Sequence, residues 1–183
     1  TTRLHQELAG GTLVDVIVPE AHDPNDESPF KGNVDLDALE ALIQRVGADR
    51  IPYVCIAGTV NMAGGQPMSM ANTRAVRELT ARHGIRVMLD ATRAVENAYF
   101  IQSREAGYRD KPVAEILLEY CSYTDGCTMS GKKDSLVNIG GWLALNDPLL
   151  YEEASNLVVV YEGLHTYGGM AGRPAGMLYR WQS

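Results

Sequence analysis

The strongest constraint in this sequence is the alternation of short apolar runs with helix-forming segments through its first half. The apolar, β-branched runs at 13–18, 51–57 and 85–89 have the length and composition of strands. The segments at 36–46 and 70–83 carry apolar residues at helical spacing and end at glycines. This order predicts an α/β fold in which crossover helices connect a mostly parallel sheet. In such open sheets, ligands bind where the strands end.

The second half of the chain continues this pattern. Helices are predicted at 93–105 and 113–121, a strand-like stretch ends at Thr128, and a glycine-bounded apolar segment follows at 140–146. A helix followed by a strand is expected up to Val160. Because no internal repeat or low-complexity tract interrupts the pattern, we expect a single layered unit.

Composition limits the partners and the compartment. The 183 residues give room for about one domain, and the net charge of −7 argues against nucleic acid or an anionic membrane as the main partner. No apolar run approaches the roughly 20 residues of a membrane span, and no signal-peptide pattern begins the sequence. The three cysteines fit neither a disulfide framework nor a zinc site. A soluble, cytoplasmic protein is therefore expected.

Three predicted loops at the carboxyl edge of the sheet carry polar side chains that suit chemistry. Asn61 follows the strand at 51–57, Asp90 and Arg93 follow the next strand, and the segment 130–134 reads Ser-Gly-Lys-Lys-Asp. Each loop also has a purely structural interpretation. Asn61 could form a turn, Asp90 could cap the following helix, and adjacent lysines are usually a solvated pair. The local sequence leaves both interpretations open.

Considered together, the three loops match the requirements of pyridoxal phosphate. This cofactor needs a lysine amine that bonds to it and an acid that keeps its pyridine nitrogen protonated. Its phosphate needs hydroxyl and backbone N–H groups, which a Ser-Gly turn provides. No Gly-x-Gly-x-x-Gly motif joins a strand to a helix, so a nicotinamide enzyme is disfavoured.

Four longer motifs carry a family resemblance: TVNMAGGQPMSMAN, LDATRAVENAYFI, DGCTMSGKKDSLVNIGG and VVVYEG with YGGMAGR. They resemble the β-eliminating aromatic amino-acid lyases, the pyridoxal-phosphate enzymes that comprise tyrosine phenol-lyases and tryptophanases. The resemblance covers residues 1–173 and implies the central part of the large domain of a fold-type I pyridoxal-phosphate enzyme, incomplete at both ends. Residues 174–183 depart from the pattern and are expected to form a divergent tail.

The resemblance also implies roles for individual residues. Lys133 is implied to form the Schiff base with the cofactor, and Lys132 to lie beside the phosphate. Asp90 is implied to hold the pyridinium proton. Ser130 is implied to bind the phosphate.

Further implied positions concern the substrate side of the cofactor and a cation. Arg93 and Asn61 are implied to hold the phenolic oxygen of the cofactor, with Asn61 also near the substrate carboxylate. A potassium ion is implied as a second cofactor, with the backbone carbonyl of Asn138 as one ligand.

The implied activity is β-elimination of L-tyrosine to phenol, pyruvate and ammonia. The sequences Asp-Ala-Thr-Arg from Asp90 and Thr-Met-Ser-Gly-Lys-Lys-Asp from Thr128 are closer to the tyrosine-cleaving members. The alternatives are cleavage of tryptophan to indole, pyruvate and ammonia, or a noncatalytic fragment that keeps the fold. For the full-length form the resemblance implies a homotetramer built from dimers.

Overall fold

The computed structural model describes residues 2–164. None of the helices in this part of the chain has the length and apolar character that crossing a bilayer requires. The helices are α1 (Thr2–Leu8), α2 (Leu36–Val46), α3 (Met70–Arg82), α4 (Ala94–Arg104), α5 (Val113–Ser122) and α6 (Pro148–Glu162). The strands are β1 (Tyr53–Ala57), β2 (Arg86–Asp90), β3 (Gly126–Ser130) and β4 (Gly141–Leu145).

The four strands form one sheet in the order β1-β2-β3-β4. The pairs β1/β2 and β2/β3 are parallel, whereas β4 returns antiparallel to β3. Helix α3 forms the crossover from β1 to β2, and α4 and α5 form the crossover from β2 to β3. The register aligns Ala57, Asp90 and Thr128. The predicted α/β class with a mostly parallel sheet is confirmed.

Helix α2 shows how the local sequence sets the boundaries of an element. The Asp35 carboxylate accepts a hydrogen bond from the Ala38 N–H at 2.9 Å, which satisfies a free amide of the first turn. Leu39 and Ile43, four residues apart, form its buried face. Gly47 ends the helix at a φ of 90°, where a side chain would be strained. The predicted helix over 36–46 is confirmed.

The segment 13–18 is not a strand, so that prediction is wrong. Within residues 2–164, its β-pairing is limited to one isolated antiparallel bridge between Ile17 and Val34. Val16 packs against the core instead. The β-branched residues therefore reflect partial burial rather than membership of the sheet, because β-propensity measures packing as much as pairing.

The strand expected before Val160 is also absent, since Pro148–Glu162 forms one continuous helix. The Asp147 carboxylate caps its first turn by accepting hydrogen bonds from Leu149 and Leu150 at 3.0 and 3.3 Å. A helix begun in this way continues through the valine run, since propensity is a weak prior that context overrides. The predicted tail, residues 174–183, lies outside the described residues.

One face of the sheet forms the core with α3, α4 and α5. The side chains that meet there are Val54, Ile56, Val87, Leu89, Val76, Leu79, Ala98, Ile101, Ile116 and Tyr120, all of them buried. The opposite face is more open, with Thr128 exposed and Leu143 45% exposed. The core therefore holds the sheet against helix α4, the element that begins next to Asp90.

Asn97 lies inside α4 with no exposed surface, and its amide acts as a hydrogen-bonding partner for a loop backbone. It accepts from the Met68 N–H at 2.9 Å and donates to the Met68 carbonyl at 3.0 Å. Met68 ends the glycine-rich segment that follows β1. Asn72 makes the same pair of bonds with Val34, at 2.8 and 2.9 Å, but is only half-buried.

Replacing Asn97 with alanine leaves both backbone groups of Met68 buried without partners. We expect Asn97→Ala to lower the free energy of unfolding by about 2–4 kcal/mol in urea denaturation. The matched control Asn72→Ala breaks the same two bonds where water has access, and should cost about 1 kcal/mol. Equal losses for the two variants would contradict the role assigned to burial.

Candidate active site

Asp90 is the last residue of β2 and is half-buried. Its Oδ1 accepts the Thr92 N–H at 3.1 Å, which turns the chain out of the strand. Its backbone carbonyl accepts the Gly58 N–H at 3.1 Å, joining the ends of β1 and β2. The capping alternative for Asp90 is wrong, because the amides at the start of α4 bind another residue, Asp134.

Asn61 and Arg93 come from different loops and meet. The Arg93 guanidinium donates to Asn61 Oδ1 at 2.7 Å, while the Arg93 backbone N–H donates to the Gly58 carbonyl at 2.8 Å. Asn61 also begins a short 3-10 turn, so its structural and functional interpretations are compatible. The two residues border a cleft of about 500 Å³, whose lining includes Thr59, Asn61, Gln66, Arg93, Glu96 and Arg104.

The two lysines lie in loop 131–140, which joins β3 to β4. Ser130 ends β3, and the Gly131 N–H donates to the Gly140 carbonyl at 2.9 Å, which closes the base of the loop. Lys132 and Lys133 are both exposed. Within the described residues, neither amine has a hydrogen bond or an ion pair. The Lys133 amine is therefore accessible to a ligand.

Three hydrogen bonds that the sequence analysis missed join segment 130–134 to Thr92, just after β2, and to the first turn of α4. Thr92 Oγ1 accepts the Ser130 N–H at 3.3 Å. Asp134 Oδ2 accepts the N–H groups of Val95 and Glu96 at 3.0 and 3.2 Å. The partners lie 38 or more residues apart in sequence, so no local signal could have revealed them. Together with the Asn61–Arg93 bond, they bring the three predicted loops to one edge of the sheet.

Among the three cysteines, Cys55 is the one whose pKa is affected by Asp90. It keeps exposed surface on the open face of the sheet. Nevertheless, desolvation by the surrounding residues and, second, the charge of Asp90 raise its pKa to about 11. The thiol therefore stays protonated at neutral pH.

Asn138 lies exposed in the lysine loop. Among residues 2–164, no group of three or more His, Cys, Asp or Glu side chains is placed to hold a metal ion. A potassium ion held by backbone carbonyls would leave no such side-chain cluster. Ligation by Asn138 therefore stays a prediction.

Comparison with known proteins identifies the family. A family model described as beta-eliminating lyase matches residues 1–177. The chain belongs to this family. It is similar to tyrosine phenol-lyases from Nostoc punctiforme, Symbiobacterium sp. and Pasteurella multocida, at 74%, 68% and 62% identity over 173 residues. Each match covers 94% of this chain, and the chain spans 37–38% of the length of these relatives.

The β-eliminating lyases depend on pyridoxal phosphate, and the residues present here fit that cofactor. The loops that carry the Asp90 carboxylate, the Arg93 guanidinium and the exposed Lys133 amine come together at one edge, and an acid and a free lysine amine are groups that the cofactor requires. The site also has unused hydrogen-bonding capacity. The hydroxyls of Thr59 and Ser135 are buried without partners in the described part of the chain. Such orphaned groups are rare unless a ligand or water satisfies them.

Thr92 and Thr59 allow a matched test of the link between β2 and β3. Thr92→Val removes the acceptor of the Ser130 N–H and should lower the free energy of unfolding by about 1–2 kcal/mol. Thr59→Val removes a hydroxyl that has no partner, so it should leave stability unchanged or raise it slightly. Both values come from urea denaturation without cofactor. A larger loss for Thr59→Val than for Thr92→Val would contradict the contacts described above.

Proposed function

We propose that residues 1–173 form the pyridoxal-phosphate-binding core of a carbon–carbon lyase, with residues 174–183 as a divergent tail. Its reaction is β-elimination of L-tyrosine to phenol, pyruvate and ammonia. The observation that carries this proposal is the meeting of Asp90, Arg93 and the Lys133 loop at one edge of the sheet. The relatives are named tyrosine phenol-lyase, which supports tyrosine over tryptophan as the substrate.

Pyridoxal phosphate, when bound, supplies an electron-withdrawing ring that stabilises negative charge on the substrate α-carbon. The Asp90 carboxylate keeps the proton on the pyridine nitrogen. Arg93 and Asn61 hold the phenolic oxygen, and Asn61 also lies near the substrate carboxylate. The Ser130 hydroxyl and the Lys132 ammonium bind the phosphate, to which a hydroxyl and a positive charge are complementary.

The Lys133 amine has two tasks in this proposal. It would hold the cofactor covalently until the substrate amine displaces it. Once free, Lys133 Nζ takes the α-proton of the substrate as a general base. Both tasks need an amine that is not engaged in an ion pair, and Lys133 has none within the described residues.

The proposal extends to a cation, an assembly and a compartment. The Asn138 carbonyl contributes to a potassium site, since hard cations prefer oxygen ligands. The full-length enzyme is a homotetramer built from dimers. Exposed apolar side chains along α6, such as Leu149, Tyr151 and Val160, support burial against further protein. The three free cysteines support a cytoplasmic location.

The attachment of the cofactor is tested with this chain itself. We expect incubation with pyridoxal phosphate and reduction with borohydride to place a phosphopyridoxyl group on Lys133, located by peptide mass spectrometry. Lys133→Ala should abolish the label at this position. Lys132→Ala should keep the label on Lys133 but require a higher cofactor concentration. Labelling that is spread equally over all lysines would overturn the proposal.

The substrate is tested with the full-length enzyme that contains this sequence. We expect phenol and pyruvate from L-tyrosine at equal rates. Under the same conditions L-tryptophan should give at least about 100-fold less indole, because a site built for a phenol hydroxyl leaves its polar groups unpaired with indole. Indole release without phenol release would reject tyrosine as the substrate.

A further inference from the structure

Asp134 follows the proposed cofactor lysine directly and contacts a different element. A single carboxylate oxygen, Oδ2, accepts the N–H groups of Val95 and Glu96 at 3.0 and 3.2 Å. These amides belong to the first turn of α4. The first amides of a helix have no partner within the helix, so an acceptor from elsewhere stabilises them.

Helix α4 has no cap in its own sequence. Arg93 occupies the N-cap position and makes no capping hydrogen bond with its side chain. The acceptor therefore comes from the lysine loop, about 40 residues later in the chain. A negative charge at this end also complements the helix dipole. The two hydrogen bonds that cap α4 are consequently also the bonds that hold the lysine loop against that helix.

Few other hydrogen bonds involve the lysine loop. Its bonds between Gly131 and Gly140, and between Val137 and Gly131, are internal. Within the described residues, the hydrogen bonds that connect loop 131–140 to another element are those of Asp134. Without them, the loop would be held by its two ends in β3 and β4 and by the packing of the buried Ser135 and Val137.

We propose that Asp134 is the positioning residue of Lys133. By capping α4 it fixes the lysine loop relative to Arg93, which directly precedes that helix, and to Asp90 at the end of β2. The proposal rests on the function proposed above for Lys133. Because one oxygen accepts both bonds, an asparagine, which keeps one acceptor oxygen, satisfies the same role.

The test compares Asp134→Ala and Asp134→Asn with the wild-type chain and with Asp35→Ala, which removes the cap of α2, a helix that packs against α3. The first measurement is the concentration of pyridoxal phosphate that half-saturates borohydride labelling of Lys133. The second is amide hydrogen exchange of residues 131–138 without cofactor. Thermal unfolding of each variant shows how much a lost cap alone destabilises the fold.

We expect Asp134→Ala to raise the half-saturating concentration and the exchange rates of the loop by about fivefold or more, the usual effect of a lost cap. Asp134→Asn should stay within about twofold of wild type. Asp35→Ala should change thermal stability but neither of the other readouts. Rescue by asparagine and the insensitivity to Asp35→Ala separate positioning from a general loss of stability.

The proposal is overturned if Asp134→Ala labels Lys133 and exchanges its loop amides as the wild type does, or if Asp134→Asn is as defective as Asp134→Ala. If the wild-type chain acquires no label on Lys133, the proposed function fails. The exchange rates still decide whether Asp134 holds the loop, so the two failures are distinguishable.

Discussion

Parallel pairing of β1, β2 and β3 places Ala57, Asp90 and Thr128 in one row, and the chain leaves all three strands at the same edge. Backbone hydrogen bonds continue the row beyond the strands, from Gly58 to Asp90 and from Ala91 to Thr128. These bonds use only main-chain atoms. The side chains at this edge are therefore not needed for the pairing of the strands, and they remain available for chemistry.

Helix α4 connects the loops that begin at this edge. Arg93 immediately precedes it and binds Asn61. Asn97 in its interior holds the end of the segment after β1, and Asp134 from the lysine loop binds its first turn. Each of the three loops thus contacts the same rigid element or the residue before it. Such support by a single helix keeps functional groups from different parts of the chain in register.

Much of this fold could be predicted from local sequence. Asp35 and Gly47 mark the two ends of α2, and the apolar runs gave the central strands to within two residues. The segment 13–18 was mispredicted because Val16, Ile17 and Val18 are half-buried without a strand beside them. The valines before Glu162 were predicted to form a strand, but they continue the helix that Asp147 caps.

The candidate site likewise has residues that local sequence predicts and contacts that it does not. Asp90 and the lysine pair could be found because strand ends and adjacent lysines are visible in the sequence. The contacts of Thr92 and Asp134 could not, because their partners lie 38 and 39 residues away and depend on the completed sheet. Local patterns identify which groups are present, whereas long-range packing decides which groups meet.

The closed base of loop 131–140 affects the entropy of ligand binding. An open loop of this length would lose backbone freedom on meeting a ligand, at about 1–2 kcal/mol for each residue that becomes ordered. The bond between Gly131 and Gly140 and the antiparallel pairing of β3 with β4 impose that order during folding. The loop is thus ordered before a ligand arrives, so less conformational entropy is lost on binding. Sequence changes that loosen the hairpin would weaken affinity even at residues that do not contact the ligand.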